Sequence, residues 1–180
     1  MGLISYLKKM KTSQKEVKIL VLGLDNAGKT TILKAIADEN IKSVKPTEGF
    51  NIKNFSLDGI SLSVWDLGGQ KVLREYWSNY FDHTDALIYV VDAADEARLN
   101  EAGAELQKLL SEKALDKVPI LVYANKQDLV HSLGADVVTT SLRLDAIKER
   151  KWMIVACSAK SKEGLVEGLE WVVSNFKRSA

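Results

Sequence analysis

Apolar positions follow two different periods along this chain. Val17 to Leu22 (apolar except for Lys18), Leu87 to Val91, Ile120 to Tyr123 and Met153 to Ala156 are short, nearly continuous runs of the kind buried on both faces of a sheet. Between them lie segments whose apolar residues recur three or four apart: Thr31 to Ala37, Ala97 to Leu110, Ala135 to Lys148 and Leu165 to Phe176. The last puts Leu165, Leu169, Val172, Val173 and Phe176 on one side, as a core-facing helix requires. Phe50 to Leu57 and Ile60 to Trp65 flank Asp58-Gly59, a pair suited to the positive φ angles of a type I′ turn, and together predict a β-hairpin. Lys42 to Gly49 is polar, holds one proline and one glycine, and reads as a loop. The alternation predicts an α/β fold: a mostly parallel six-stranded sheet with one antiparallel hairpin strand and helices on both faces.

Two stretches depart from clean patterning. The first hairpin strand puts Phe50 and Ile52 on one parity but Phe55 and Leu57 on the other, so its apolar face specifies register weakly. At the N-terminus, Leu3, Ile4, Leu7 and Met10 form one helical stripe, with Lys8, Lys9, Lys11 and Lys15 supplying charge. A helix this short is marginal alone, and burying four such side chains contributes about 6–12 kcal/mol before ordering costs, which suits reversible docking. The expected organisation is an amphipathic N-terminal helix over residues 1–15 and one domain over 16–180.

Composition narrows the class. A length of 180 residues suits one domain, and a net charge of +1 gives no broad electrostatic reason to expect a nucleic-acid partner. Cys157 is the single cysteine, which excludes an internal disulfide framework and fits a reducing compartment. No apolar run approaches the ~20 residues needed to cross a bilayer. Residues 177–180 hold no prenylation cysteine, so membrane contact is expected through the N-terminal segment. Gly2 is placed for N-myristoylation, but Tyr6 stands where Ser or Thr is usual, which argues against it.

The chemistry starts at Gly23-Leu24-Asp25-Asn26-Ala27-Gly28-Lys29-Thr30-Thr31, which follows a predicted strand and opens a predicted helix. It matches G-x-x-x-x-G-K-[ST] in full. The glycines let the backbone curl so that successive N–H groups point inward to hold polyphosphate oxygens, aided by the helix N-terminus. Lys29 is expected to reach the β- and γ-phosphates and the Thr30 hydroxyl to sit on Mg²⁺. The motif alone does not choose among GTPases, ATPases and kinases.

Asn125-Lys126-Gln127-Asp128 follows the run Ile120 to Ala124, at the carboxyl end of a strand where open α/β sheets bind ligands. A carboxylate at Asp128 accepts both the N1–H and the 2-amino protons of guanine, a pattern adenine lacks. Lys126 is expected to lay its stem over the base, and Asn125 to tie this loop to the phosphate loop. Cys157, Ser158 and Ala159, after the last strand, offer backbone N–H groups to the guanine O6, with Lys160 alongside. In Trp65-Asp66-Leu67-Gly68-Gly69-Gln70, Asp66 holds Mg²⁺ through a water, Gly69 brings an N–H to the γ-phosphate and Gln70 orients the attacking water. Thr47 supplies the second hydroxyl on the metal. A phosphotransferase or ATPase, and a binding module without turnover, are the alternatives left open by the residues.

In this order the motifs resemble the Ras-type small GTPases. The wording of Gly23 to Thr30 and Trp65 to Gln70, with the amphipathic N-terminal extension, is similar to the ADP-ribosylation-factor and factor-like branch over essentially the whole chain. The resemblance implies a switch with slow intrinsic GTP hydrolysis, in which the hairpin slides on GTP binding and expels the N-terminal helix. It implies an aromatic trio, matching Phe50, Trp65 and Tyr80, that receives effectors, and further partners in an exchange factor and a GTPase-activating protein. It also implies traffic of lipidated cargo by a cytoplasmic, reversibly membrane-associated protein in a Golgi, microtubule or ciliary setting. No arginine stands where it plainly serves the γ-phosphate in cis, which agrees with slow turnover; an arginine in trans is worth about 10³–10⁵ in rate. His83 and His131 have no partner pattern.

Overall fold

A computed structural model describes residues 16–42 and 44–176. The N-terminal amphipathic helix expected over 1–15, and Gly2, lie outside the described residues. Strands β1 (Glu16–Leu22), β2 (Phe50–Leu57), β3 (Ile60–Leu67), β4 (Ala86–Asp92), β5 (Ile120–Asn125) and β6 (Trp152–Ala156) form one sheet in the order β2-β3-β1-β4-β5-β6. The β2–β3 pair is antiparallel and the other four are parallel. Asp58 and Gly59 have φ of 50° and 76°, so the hairpin turns as Asp-Gly predicts.

The continuous apolar runs are explained by two cores, one on each face of the sheet. Val17, Ile19 and Val21 of β1 pack with Leu121 and Tyr123 of β5 against helix α1 (Lys29–Ile36) and the later helix spanning Leu165–Asn175. Leu20 and Leu22 of β1, with Ile120, Val122 and Ala124 of β5, face the opposite way onto a helix at Leu99–Leu110. In chain order the helices after α1 are α2 (Lys71–Arg74), α3 (Leu99–Leu110), α4 (Ala135–Ser141) and α5 (Leu165–Asn175). The interior positions of the central strands are therefore apolar on both faces, with Lys18 of β1 the exception.

Helix bounds differ from the periodicity. α1 begins at Lys29 rather than Thr31, because Gly28 at φ 101° starts the turn ahead of the apolar stripe, and it ends at Ile36. α3 begins at Leu99, with Ala97 in a preceding 3-10 turn. The expected helix Ala135 to Lys148 stops at Ser141: Arg143 is left-handed at φ 56°, and Leu144–Ala146 forms a separate 3-10 turn. β3 runs past Trp65 to Leu67, carrying Asp66 inside the sheet, where it pairs with Val21 of β1 and Asn51 of β2.

Strand β1 lies at the point where the order reverses, with β3 on one side and β4 on the other. The carboxyl ends of β1, β3, β4, β5 and β6 open into Gly23, Gly68, Ala93, Lys126 and Cys157 respectively. Every sequence-predicted chemical motif thus lies at one edge of the sheet, where ligands bind in folds of this kind.

Candidate functional site

The phosphate loop is built from residues that tolerate unusual backbone. Asn26 and Gly28 have φ of 64° and 101°, and a Cβ on Gly28 would meet the Asn125 amide nitrogen at 2.3 Å. The first-turn N–H groups of α1 have no carbonyl one turn back. They border a cavity of about 340 Å³ lined by Asp25, Gly28 to Thr31, Val44 to Thr47, Gly69 and Gln70. The Lys29 ammonium donates to the Gly23 and Leu24 carbonyls at 2.9 and 2.8 Å. Burial lowers its pKa to about 8, while the Asp66 and Asp25 charges pull it back up. A polyphosphate beside it restores the charged form.

Thr30 and Thr47 line the cavity, and Asp66, 36 residues from Thr30, meets both of their hydroxyls. The Thr30 hydroxyl donates to Asp66 Oδ2 at 2.5 Å and lies 2.6 Å from the Thr47 hydroxyl, which is itself 3.4 Å from Asp66 Oδ2. Asp66 is buried and its Oδ1 has no hydrogen-bond partner. Burial raises its pKa, opposed by the Thr30 hydrogen bond and the Lys29 charge. A buried, under-satisfied carboxylate flanked by two hydroxyls is a donor set of hard oxygens, and it fits Mg²⁺ beside phosphate oxygens. Gln70 Oε1 is a second buried oxygen without a partner, at the same cavity.

Gly69 is packed directly on the phosphate loop. Its carbonyl accepts the Asp25 N–H at 3.0 Å, and a Cβ would meet Gly23 O and Lys29 Nζ, both at 2.4 Å. No larger residue fits between the end of β3 and the phosphate loop.

At the other end, Asn125 Nδ2 donates to the Ala27 carbonyl at 3.0 Å, the tie between loops that the sequence predicts. Lys126 Nζ donates to the Asn26 carbonyl and to Asp92 Oδ2, both at 2.7 Å, so the ammonium is fixed beside the phosphate loop. The Ser158 hydroxyl donates to Asp128 Oδ1 at 2.8 Å, aiming an otherwise exposed carboxylate. The expectation for Cys157, Ser158 and Ala159 needs narrowing. The Cys157 N–H is taken by Ala124 O and the Ser158 N–H by Glu163 O, at 3.0 and 3.1 Å. The Ala159 N–H meets Asn125 Oδ1 at a longer 3.2 Å.

Several groups escaped the sequence. Arg98 holds Asp25 through a 2.6 Å carboxylate contact and a 3.1 Å bond to its carbonyl, and Arg74 stands 3.4 Å from the same carboxylate. Burial alone would raise the Asp25 pKa, but the Arg98 hydrogen bond and both guanidinium charges hold it down. Asp92, which anchors Lys126, carries no sequence signal either. These residues lie 34 to 73 positions from their partners, so no local spacing could reveal them. Phe50, Trp65 and Tyr80 do come together: Phe50 stacks on Trp65 at 5.7 Å and Tyr80 tilts against both at 5.2 and 6.0 Å. Lys18 Nζ lies 4.7 Å from the Trp65 ring centre and donates to the Tyr80 and Asp82 carbonyls.

The sequence profile of the ADP-ribosylation factor family matches residues 3–176. The chain belongs to that family. It is 56% identical to ADP-ribosylation factor-like protein 3 of Chlamydomonas reinhardtii over 98% of this chain and 100% of that protein. It is 51% identical to the Caenorhabditis elegans protein of the same name, over 98% and 97%. Among solved structures it is similar to the Arl6 BBS3 small GTPase from Trypanosoma brucei with bound nucleotide analogue GppNp. The TM-score is 0.81 at 30% identity, covering 89% of this chain and 96% of that one. As a family member the chain is a small GTPase, a GTP-binding switch that hydrolyses GTP and uses GTP or GDP with Mg²⁺. The phosphotransferase, ATPase and non-hydrolysing alternatives give way to this. Proteins of the family work through effectors, exchange factors and GTPase-activating proteins, and associate reversibly with membranes. No helix among the described residues is long and apolar enough to cross a membrane.

Proposed function

We propose that the chain is a switch for traffic of lipidated cargo, read out through the aromatic face and set by the nucleotide in the pocket. In this reading Gly23 to Thr31 cradle the phosphates and Lys29 neutralises the β- and γ-oxygens. Thr30, Thr47 and Asp66 hold Mg²⁺, and Gly69 senses the third phosphate. Asp128 selects guanine, Lys126 covers the base, Asn125 braces the two loops and the Ala159 N–H meets O6. Gln70 orients the attacking water. Hydrolysis is slow because Arg74 and Arg98 are occupied by Asp25, Glu101 and the phosphate-loop backbone, leaving the transition-state charge to an arginine from an activating protein.

Phe50, Trp65 and Tyr80, together with the exposed Ile52, Val72 and Tyr76, give an apolar effector face on the hairpin and the segment after Gln70. Residues 1–15 form the reversible membrane contact, the remainder the nucleotide-binding domain, and the working setting is cytoplasmic, at Golgi, microtubule or ciliary membranes. The C. reinhardtii and C. elegans relatives, and a neighbour titled for a nucleotide analogue, support this reading.

The observation that carries it is the meeting of Thr47 with Thr30 and Asp66, which links a distant loop to the metal position. The test is displacement of fluorescent GDP at fixed Mg²⁺. GTP displaces it and ATP does so at least about 100-fold less well, since ATP leaves Asp128 without base donors and the Ala159 N–H without an O6 acceptor. Thr47→Ala keeps GDP affinity and loses triphosphate affinity. Equal displacement by ATP, or equal loss of both guanine nucleotides in Thr47→Ala, contradicts the assignment.

A further inference from the structure

The peptide units on either side of Gly69 are each pinned by a side chain from the segment that follows. The Gly68 carbonyl accepts a 2.9 Å bond from Trp77 Nε1. The Gly69 carbonyl accepts a 2.9 Å bond from Arg74 Nε besides the one from the Asp25 N–H. In a trans peptide the N–H points opposite the C=O. Trp77 therefore fixes the direction of the Gly69 N–H, and Arg74 that of the Gln70 N–H. Gly69 and Gln70 both line the cavity beside Thr30 and Thr47.

Neither anchor is free to swing. Trp77 is buried in the core on the α3 side of the sheet. Arg74 is 8% exposed, and its Nη1 lies 2.7 Å from Glu101 and 3.5 Å from Glu105, both on α3. A guanidinium this buried keeps its partners, because leaving them uncompensated costs more than any local rearrangement gains. The phosphate loop does not depend on Arg74 in the same way. Arg98 grips Asp25 at both carboxylate and carbonyl, so the loop keeps its shape when Arg74 is removed.

We propose that Arg74 and Trp77 are positioning residues that set the preference for triphosphate over diphosphate, by holding the Gly69 and Gln70 peptides in the orientation a third phosphate engages. The inference rests on the reading of Gly69 and Gln70 given under Proposed function. A ligand that bonds to the Gly69 N–H favours the pinned orientation, and by reciprocity the pins favour that ligand. A diphosphate, which stops short of Gly69, gains nothing from them.

The test measures affinity for fluorescent GDP and for a non-hydrolysable GTP analogue at fixed Mg²⁺ in Arg74→Met, Arg74→Lys and Trp77→Phe. Arg74→Met lowers triphosphate affinity by about 10–100-fold, the range of a lost charge-assisted hydrogen bond, and leaves GDP within about two-fold. Arg74→Lys keeps the charge beside Glu101 but has no Nε–H for Gly69, and stays defective. Trp77→Phe keeps most of the packing and shifts the ratio the same way. A merely structural role moves both affinities together; that result, or an unchanged ratio in all three variants, overturns the inference while leaving the guanine-nucleotide assignment standing. Failure of the parent to bind either nucleotide instead brings down the underlying reading, and this inference with it.

Discussion

Single atoms decide the chemistry at this pocket. In the proposed reading, the Asp128 carboxylate, aimed by Ser158, presents two acceptors to the two donors of guanine. Replacing it with an amide gives one acceptor and one donor, which suits a base with a carbonyl at position 2. Asp128→Asn is therefore expected to weaken GTP binding by about 10–100-fold and to bind xanthosine triphosphate better than the parent does, checked by competition with both nucleotides. Gln70→Leu removes a buried carboxamide oxygen that has no protein partner. With an activating protein present it is expected to slow single-turnover hydrolysis by about 10²-fold or more while nucleotide affinity stays within about two-fold; an unchanged rate removes Gln70 from the mechanism. Cys157 is fully buried, and burial raises its thiol pKa, so the reactive thiolate is suppressed. A thiol reagent is expected to modify it only as fast as the native fold opens, with little acceleration up to pH 9. The residues proposed to touch phosphate, metal and base were legible because their backbone and side-chain needs fix local words such as Gly28-Lys29-Thr30 and Asn125-Lys126-Gln127-Asp128. Arg74, Trp77, Asp92 and Arg98 were not, because each acts on a neighbour brought close only by folding.

At the scale of elements, type and order could be read from periodicity, but ends could not. Strands buried on both faces announce themselves as apolar runs, whereas helix ends depend on single backbone angles. Gly28 starts α1 early, and Arg143 in a left-handed conformation stops α4 where the β-branched Val137, Val138, Thr139 and Thr140 already weaken it. The hairpin retains the mixed pattern expected of it: Phe50 and Ile52 are exposed while Leu57 is buried. Its pairing is thus fixed more by the Asp58-Gly59 turn and by Gly68 N–H to Gly49 O at 2.9 Å than by a buried face. α5 is anchored differently. Gly168 lies against Tyr123, whose hydroxyl donates to the Leu165 carbonyl at 2.7 Å, and an added Cβ would meet the ring at 2.5 Å. Gly168→Ala is expected to cost about 1–3 kcal/mol by overpacking, or about 2–12 °C in Tm by calorimetry, with the nucleotide preference unchanged. An unaltered Tm contradicts that packing.

For the whole molecule, one sheet edge gathers the phosphate loop, the Thr30–Thr47–Asp66 cluster, Asn125 to Asp128 and the root of the aromatic face. Thr47 and Gly69 come from the two segments flanking the hairpin, so a ligand that recruits both constrains the strand pair whose outer face carries Phe50 and Trp65. Removing Mg²⁺ with a chelator is expected to lower Tm more in the triphosphate form than in the diphosphate form, because only the former uses Thr47 as well as Thr30. The most direct measurement of the central claim is hydrogen exchange of the full chain with GDP and with a non-hydrolysable GTP analogue, both with Mg²⁺. Coupling between pocket and face predicts stronger protection with the triphosphate at 44–49 and 68–80, together with an altered pattern across 50–67 and little change in β4 to β6. Indistinguishable exchange in the two states would contradict it.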